Sequence, residues 1–286
     1  MKNNVLGTIG QCIYCDSTDE LSKEHIVPYG LGASWLLLKA SCRRHRDITS
    51  KFELDVLRNL WGPVRAAIGM QSRHGHSSKR FPLVVRRSEA NETVQIDPAR
   101  FGAPLMFPRF EAPRYLSGRI DAGDLSVNGY VTHILPNPER FYAEIKKEYS
   151  PKQIDLTVRF RPVAFAQTLA KLAFGLVIAR HGLGAIEQPY IIEALETGKQ
   201  IGRWVGCDGD GIPLSKGSDD IEVRLSFINT PTRDIVAEIK LFGRLESPTY
   251  VVVVGKPKPE IVQGLDFPPT VQPGSVHPVQ FLPSVQ

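Results

Sequence analysis

Three of the four cysteines in this chain of 286 residues lie within its first 42 positions. Cys12 and Cys15 form a CxxC pair, and Cys42 and His45 repeat the same spacing after 26 intervening residues. Thiolate sulfur and imidazole nitrogen are ligands that Zn²⁺ prefers, and four of them close a tetrahedral coordination sphere. The spacing therefore predicts a structural zinc ion bound by these four side chains. Cys207 lies far along the chain and is expected to take no part.

Between the two pairs lies the stretch KEHIVP, in which Glu24 directly precedes His25 and Pro28 closes the stretch. Together with EHIVPYGLG, KASCRRH and ITSKFE, it resembles the HNH nucleases over about residues 10–70. The resemblance implies a ββα-metal fold between two zinc knuckles. It also implies that Glu24 binds a catalytic divalent ion, Mg²⁺ or Mn²⁺. In the same family pattern, His25 is the general base that activates water against a phosphodiester.

Two positions depart from that family's pattern. Leu37 stands where many members have an asparagine that orients the histidine, and Arg46 stands where many have a histidine or asparagine that completes the metal site. A guanidinium cannot bind a cation, so a further carboxylate must complete the site. Glu53 is the first candidate and Asp47 the second. A capping box with Ser50 is the alternative role for Glu53, and a turn is the alternative for Asp47.

Positive charge is concentrated at the start of the chain. The net charge is +5, and residues 1–87 hold 14 Lys and Arg against 7 Asp and Glu. A local positive field attracts polyanions, so nucleic acid, most of all DNA, is the expected partner. The side chains predicted to contact phosphate are Arg43, Arg44, Arg46, Lys51 and Arg58, and the loop RHGHSSKR forms a second basic patch.

Apolar periodicity predicts the elements that carry these residues. Phe52, Val56, Leu60 and Val64 recur every four residues, which predicts an amphipathic helix that begins near Ser50 and breaks near Pro63. Farther along, VAFAQTLAKLAFGLVIARHG predicts a largely buried helix ending near Gly182, and IIEALETG a shorter one. The segments IDLTVRF, IEVRLSFI, IVAEIKLFG and TYVVVVG predict strands, the second and third of them antiparallel.

The expected fold class is α+β: an N-terminal zinc-stapled ββα-metal domain, then a larger α+β domain with a mainly antiparallel sheet. The predicted divisions are 1–72 for the HNH domain, 73–113 for a basic and proline-rich connection, 114–255 for the α+β domain and 256–286 for a proline-rich tail. The last 31 residues hold seven prolines, which disfavour helices and central strands.

The functional prediction is a metal-dependent HNH endonuclease that hydrolyses DNA, with a role in phage defence by family analogy. Two alternatives stay open: a catalytically inactive zinc-stapled nucleic-acid-binding module, and a structural or regulatory subunit acting through its C-terminal domain. The N-terminus lacks a secretory signal pattern, and the longest apolar run is interrupted by Gln167 and Lys171. We therefore expect a cytoplasmic protein with no membrane partner. The C-terminal domain or the tail is the part expected to join copies of the chain in a homo-oligomer.

Overall fold

The computed structural model describes most of the chain in nine segments. These are residues 4–31, 35–69, 80–87, 90–119, 123–156, 161–207, 222–227, 233–242 and 245–260. Nearly all of the predicted second basic patch, the end of the predicted strand IDLTVRF and most of the proline-rich tail lie outside them.

The N-terminal part forms a three-stranded sheet followed by a helix. The strands are β1 (Asn4–Thr8), β2 (Ser22–His25) and β3 (Trp35–Ser41), in the order β1-β3-β2. β2 runs antiparallel to β3 and β1 runs parallel to it. A short 3₁₀ turn, Tyr29–Leu31, lies between β2 and β3, and helix α1 (Arg43–Asp55) follows β3 directly. We refer to β2, β3 and α1 together as the ββα unit.

The start of α1 differs from the sequence prediction. α1 begins at Arg43, with Cys42 as the extended residue before it, and the amide of Arg46 donates to the carbonyl of Cys42 at 2.9 Å. Ser50 therefore lies inside the helix, and the predicted capping box is wrong. The first turn, RRHR, carries no apolar repeat, so periodicity detects the helix only from Phe52 onward.

The predicted break near Pro63 is confirmed. A π-helical segment, Val56–Leu60, ends α1, and Pro63 lies in the first turn of α2 (Gly62–Ala67). Proline is accepted there because the first helical amides have no partner within the helix.

The prediction that 73–113 is a connection is wrong, because this segment contains strands and a helix. It contains β4 (Phe81–Arg86), β5 (Asn91–Ile96), α3 (Pro98–Phe101) and β6 (Ala103–Phe110). Three of its prolines occupy positions that strands tolerate, and Pro98 begins α3. Pro82 precedes the residues of β4 that pair with β8, and Pro104 and Pro108 lie in a two-stranded sheet.

The rest of this central region completes those sheets. β7 (Val127–Leu135) pairs antiparallel with β6, and β8 (Gln153–Leu156) gives the order β5-β4-β8. Helix α4 (Pro138–Tyr149) lies between β7 and β8 in the chain.

The C-terminal part contains the predicted helices and an antiparallel sheet. Its helices are α5 (Pro162–His181), α6 (Ile192–Thr197) and α7 (Ile201–Trp204), with a 3₁₀ turn at Leu183–Ala185. Its strands are β9 (Ile186–Pro189), β10 (Val205–Cys207), β11 (Glu222–Phe227), β12 (Ile235–Lys240) and β13 (Thr249–Pro257). The order is β10-β13-β12-β11, with β9 also on β13 and β11 antiparallel to β12 as predicted. Mainly antiparallel sheets with helices make the fold mixed α+β.

Helix α5 is the central element of the fold. It is long and apolar enough to cross a membrane, yet 78% of its most apolar window is buried inside the protein. A helix that is apolar on all sides is typical of a position enclosed by other elements. α5 packs against α1, and through Phe165 it contacts Trp61 at a ring distance of 5.4 Å. The hydrophobic core therefore runs from the N-terminal part into the C-terminal part.

Candidate functional site

The four predicted zinc ligands come together in the structure. Cys12 and Cys15 lie in the turn after β1, Cys42 directly precedes α1, and His45 lies in its first turn. Their ligand atoms all lie within 4.8 Å of one another. The Sγ atoms of Cys15 and Cys42 are 3.8 Å apart, and His45 Nδ1 is 3.5 Å from Cys12 Sγ and 3.3 Å from Cys42 Sγ.

These separations fit a tetrahedral zinc ion. Bond lengths of about 2.3 Å to sulfur and about 2.0 Å to nitrogen give tetrahedron edges of about 3.8 Å between sulfurs and about 3.5 Å between sulfur and nitrogen. The observed distances agree with both values. The cluster could therefore hold a structural metal ion such as zinc, and four protein ligands leave no coordination position for a substrate.

The thiols differ in acidity without an ion. Burial raises the pKa of Cys12 to about 12. Burial acts in the same direction on Cys42, but hydrogen bonds from His45 and the neighbouring cysteines lower its pKa to about 7. Because a metal binds the thiolate, metal binding here requires release of the Cys12 proton.

A carboxylate from the C-terminal part orients the histidine ligand. Glu196 on α6 places Oε1 2.6 Å from His45 Nε2, and Arg44 contacts the same oxygen at 3.1 Å. With Nε2 donating its proton to Glu196, Nδ1 is left as the acceptor that faces the cysteines. Partners of this kind fix the tautomer and ring orientation of a metal-binding histidine. Sequence reasoning missed Glu196 because it lies 151 residues from His45 along the chain.

Tyr14 connects the zinc cluster to a second buried site. Its ring stacks on His45 at 5.1 Å and on Phe174 of α5 at 5.8 Å. Burial raises the pKa of Tyr14 well above its usual value, and the negative charges of Glu24 and Glu53 raise it further. The tyrosine therefore lies between the predicted zinc ion and the predicted catalytic carboxylates.

The two carboxylates ranked first for the divalent ion meet, and a lysine lies between them. Glu24 on β2 places Oε1 2.7 Å from the Nζ of Lys171, and Glu53 on α1 places Oε1 2.5 Å from the same atom. The third acceptor of Lys171 is the backbone carbonyl of His25. Lys171 is only 1% exposed and Glu24 3%. We call Glu24, Glu53 and Lys171 the buried charge cluster.

Lys171 is a cation in this setting. Burial alone lowers the pKa of a lysine, but the attraction of Glu24 and Glu53 outweighs burial here, so the pKa of Lys171 is raised. An ammonium has three N–H donors and no acceptor. The three acceptors around Nζ match that number.

The divalent ion implied by the family resemblance does not fit this arrangement. An ion bound to either carboxylate would lie about 2.1 Å from an oxygen, and therefore close to Nζ. At about 5 Å and an effective dielectric constant of about 20, each unit of its charge would be repelled by about 3 kcal/mol. A divalent ion at these oxygens is therefore disfavoured while the ammonium lies between them.

The remaining predicted residues lie around the cluster or on the surface. His25 is the last residue of β2 and is half-buried. Leu37 lies on β3, where it pairs with Glu24 of β2, and is fully buried in the core. Asp47 is 60% exposed and lies 3.9 Å from Arg46, so Glu53 and not Asp47 is the carboxylate that joins Glu24. The five basic residues predicted to contact phosphate are all exposed on or beside α1: Arg43, Arg44, Arg46, Lys51 and Arg58.

Comparisons of the chain with protein-family models, with curated proteins and with solved structures give no match. The chemistry of the site is therefore inferred from the types and positions of its own residues.

We expect one zinc ion per chain in the purified protein, measured by elemental analysis. Cys42→Ser should abolish binding and lower the melting temperature, because structural zinc contributes to folding. Cys207→Ser is the matched control and should retain one ion. Full zinc occupancy in Cys42→Ser would show that the cluster is not the metal site.

Glu196→Gln should weaken zinc binding by about 10- to 100-fold, since it removes the charge that orients His45. Competition with a chromophoric chelator measures the affinity. Glu193→Gln, an exposed change on the same helix, should have no effect. Equal affinities for the two variants would rule out the coupling between α6 and the metal.

Proposed function

We propose that the chain is an endonuclease of the HNH kind that hydrolyses DNA phosphodiester bonds. The observation that supports this proposal is that Glu24 and Glu53 come together within the ββα unit, beside the backbone of His25. Glu24 lies on a strand and Glu53 on a helix, yet each places an oxygen in contact with Lys171 Nζ. The same nitrogen donates to the backbone carbonyl of His25. The family resemblance implies that Glu24 binds a divalent ion between two zinc knuckles, and Glu53 is the candidate that would complete that site.

The proposed role of His25 follows from its side chain. A neutral imidazole accepts the proton of a water molecule as that water attacks phosphorus. The phosphorus–oxygen bond to the leaving nucleotide then breaks. Phosphate contacts from exposed arginines and lysines along α1 would hold the strand without reading its sequence.

The proposal includes a setting for this activity. A cytoplasmic nuclease of DNA is consistent with the local surplus of positive charge, and phage defence is proposed by analogy alone. The C-terminal α+β part would select the substrate or join copies of the chain.

Plasmid nicking in Mg²⁺ or Mn²⁺ tests the proposal. The wild type should cut, and His25→Ala should lower the rate by about 100-fold or more, the usual effect of losing a general base. His181→Ala, a half-buried histidine at the end of α5, is the matched control and should cut at the wild-type rate. Unchanged far-UV circular dichroism and zinc content would show that His25→Ala is folded. Cutting by folded His25→Ala at the wild-type rate would remove the proposed role.

A second candidate function is a nucleic-acid-binding module without catalysis. Two observations favour it: Lys171 lies between the carboxylates, and Arg46 occupies the position after the second knuckle. Neither feature weakens the basic face of α1. Such a module would bind DNA in a salt-sensitive manner. It would not cut DNA, whichever divalent ion is added.

Binding to duplex DNA at several salt concentrations tests the basic face of α1. The triple variant Arg43→Ala/Arg46→Ala/Lys51→Ala should reduce the slope of log affinity against log salt by about 2 to 3, because each phosphate that the protein no longer neutralises lowers the slope by about one. Lys146→Ala/Lys147→Ala on α4 removes exposed charges elsewhere and should leave the slope nearly unchanged. Identical slopes for both variants would place the DNA-binding face on another surface.

A further inference from the structure

One face of α5 is shaped to dock on the ββα unit. Phe174 and Gly175 lie three and four residues after Lys171, so both lie on the same side of the helix as the lysine. Phe174 stacks on Tyr14, and Lys171 binds Glu24 and Glu53. A Cβ atom on Gly175 would lie 3.2 Å from Ile26 Cγ1, so glycine allows the backbone of α5 to approach β2 closely.

This docking fixes where the ammonium lies. Lys171 comes from the middle of a helix that is buried along most of its length, so its backbone cannot shift without disturbing the core. Its three N–H donors meet two carboxylates and one carbonyl. A buried lysine requires such partners, and buried carboxylates require a cation. The buried charge cluster therefore joins the C-terminal part to the candidate catalytic residues.

We propose that Lys171 is a resident counter-ion that occupies the place of a divalent cation between Glu24 and Glu53 and keeps the site closed. In this state the Lys171 ammonium balances one of the two carboxylate charges, and a metal ion enters only when the Lys171 side chain leaves. The apparent metal affinity of the wild type is then lowered by the small fraction of molecules in the open state. A role for Lys171 in regulating cleavage rests on the proposed function. The competition between Lys171 and a metal ion does not depend on that function.

Manganese titration of the zinc-loaded full chain, followed by electron paramagnetic resonance of free Mn²⁺, tests the proposal. Lys171→Met has a side chain of similar length without the charge. It should bind one Mn²⁺ at least about tenfold more tightly than the wild type, a difference of about 1.4 kcal/mol. Lys171→Met/Glu24→Gln/Glu53→Gln should lose this site. Lys146→Met, an exposed lysine on α4, is the matched control and should behave as the wild type.

Thermal denaturation gives a second measurement. Lys171→Met leaves the buried Glu24 and the partly buried Glu53 without a cation, so its melting temperature should fall and Mn²⁺ should restore it. The triple variant, which removes the charges together, should be stable without Mn²⁺ and should not respond to it. Folding of Lys171→Met only in the presence of Mn²⁺ would also support the proposal.

If Lys171→Met does not fold at all, Mn²⁺ titration of the wild type and of Glu24→Gln tests the proposal instead. One Mn²⁺ bound by the wild type at stoichiometric concentration and lost in Glu24→Gln would overturn the proposal, because the ammonium would then not weaken metal binding. Absence of that ion from the wild type would support exclusion by Lys171. DNA cleavage is a separate result: a tight Mn²⁺ site in Lys171→Met without cutting would keep this inference and remove the nuclease.

Discussion

The buried ion pairs of Lys171 with Glu24 and Glu53 are the interaction on which the arrangement of this protein depends. They join a strand and a helix of the N-terminal part to the central helix of the C-terminal part. Removing one partner of such a network leaves an uncompensated charge in the interior, which is strongly destabilising. The same three side chains define the chemistry available at the site, so the docking of α5 and the state of the candidate catalytic residues cannot vary independently.

The zinc-type cluster is coupled to the C-terminal part in a comparable way. Glu196 reaches from α6 to the outer nitrogen of His45, and Tyr14 packs between His45 and Phe174 of α5. A metal ion at the four ligands would therefore stabilise the turn after β1, the start of α1 and the position of α6 together. These contacts explain how a short N-terminal unit can have a precise structure with a small core of its own.

The sequence predicts the parts of this structure that depend on local spacing. The metal cluster follows from two matched pairs, and α5 and the strands β11 to β13 follow from their apolar patterns. The start of α1 and the strands of 81–110 were missed because a polar first turn and several prolines hide them. Lys171 and Glu196 lie 118 and 151 residues from their partners, beyond any local pattern. One signal was available: a lone lysine inside a helix that is apolar on every side must find buried partners.

Anomalous diffraction from crystals of the zinc-loaded wild type soaked in Mn²⁺ would show directly which cation lies between Glu24 and Glu53. We expect a zinc peak among Cys12, Cys15, Cys42 and His45, and Lys171 Nζ between Glu24 and Glu53 with no manganese peak beside it. A manganese peak shared by the two carboxylates, with Lys171 Nζ still between them, would contradict this expectation.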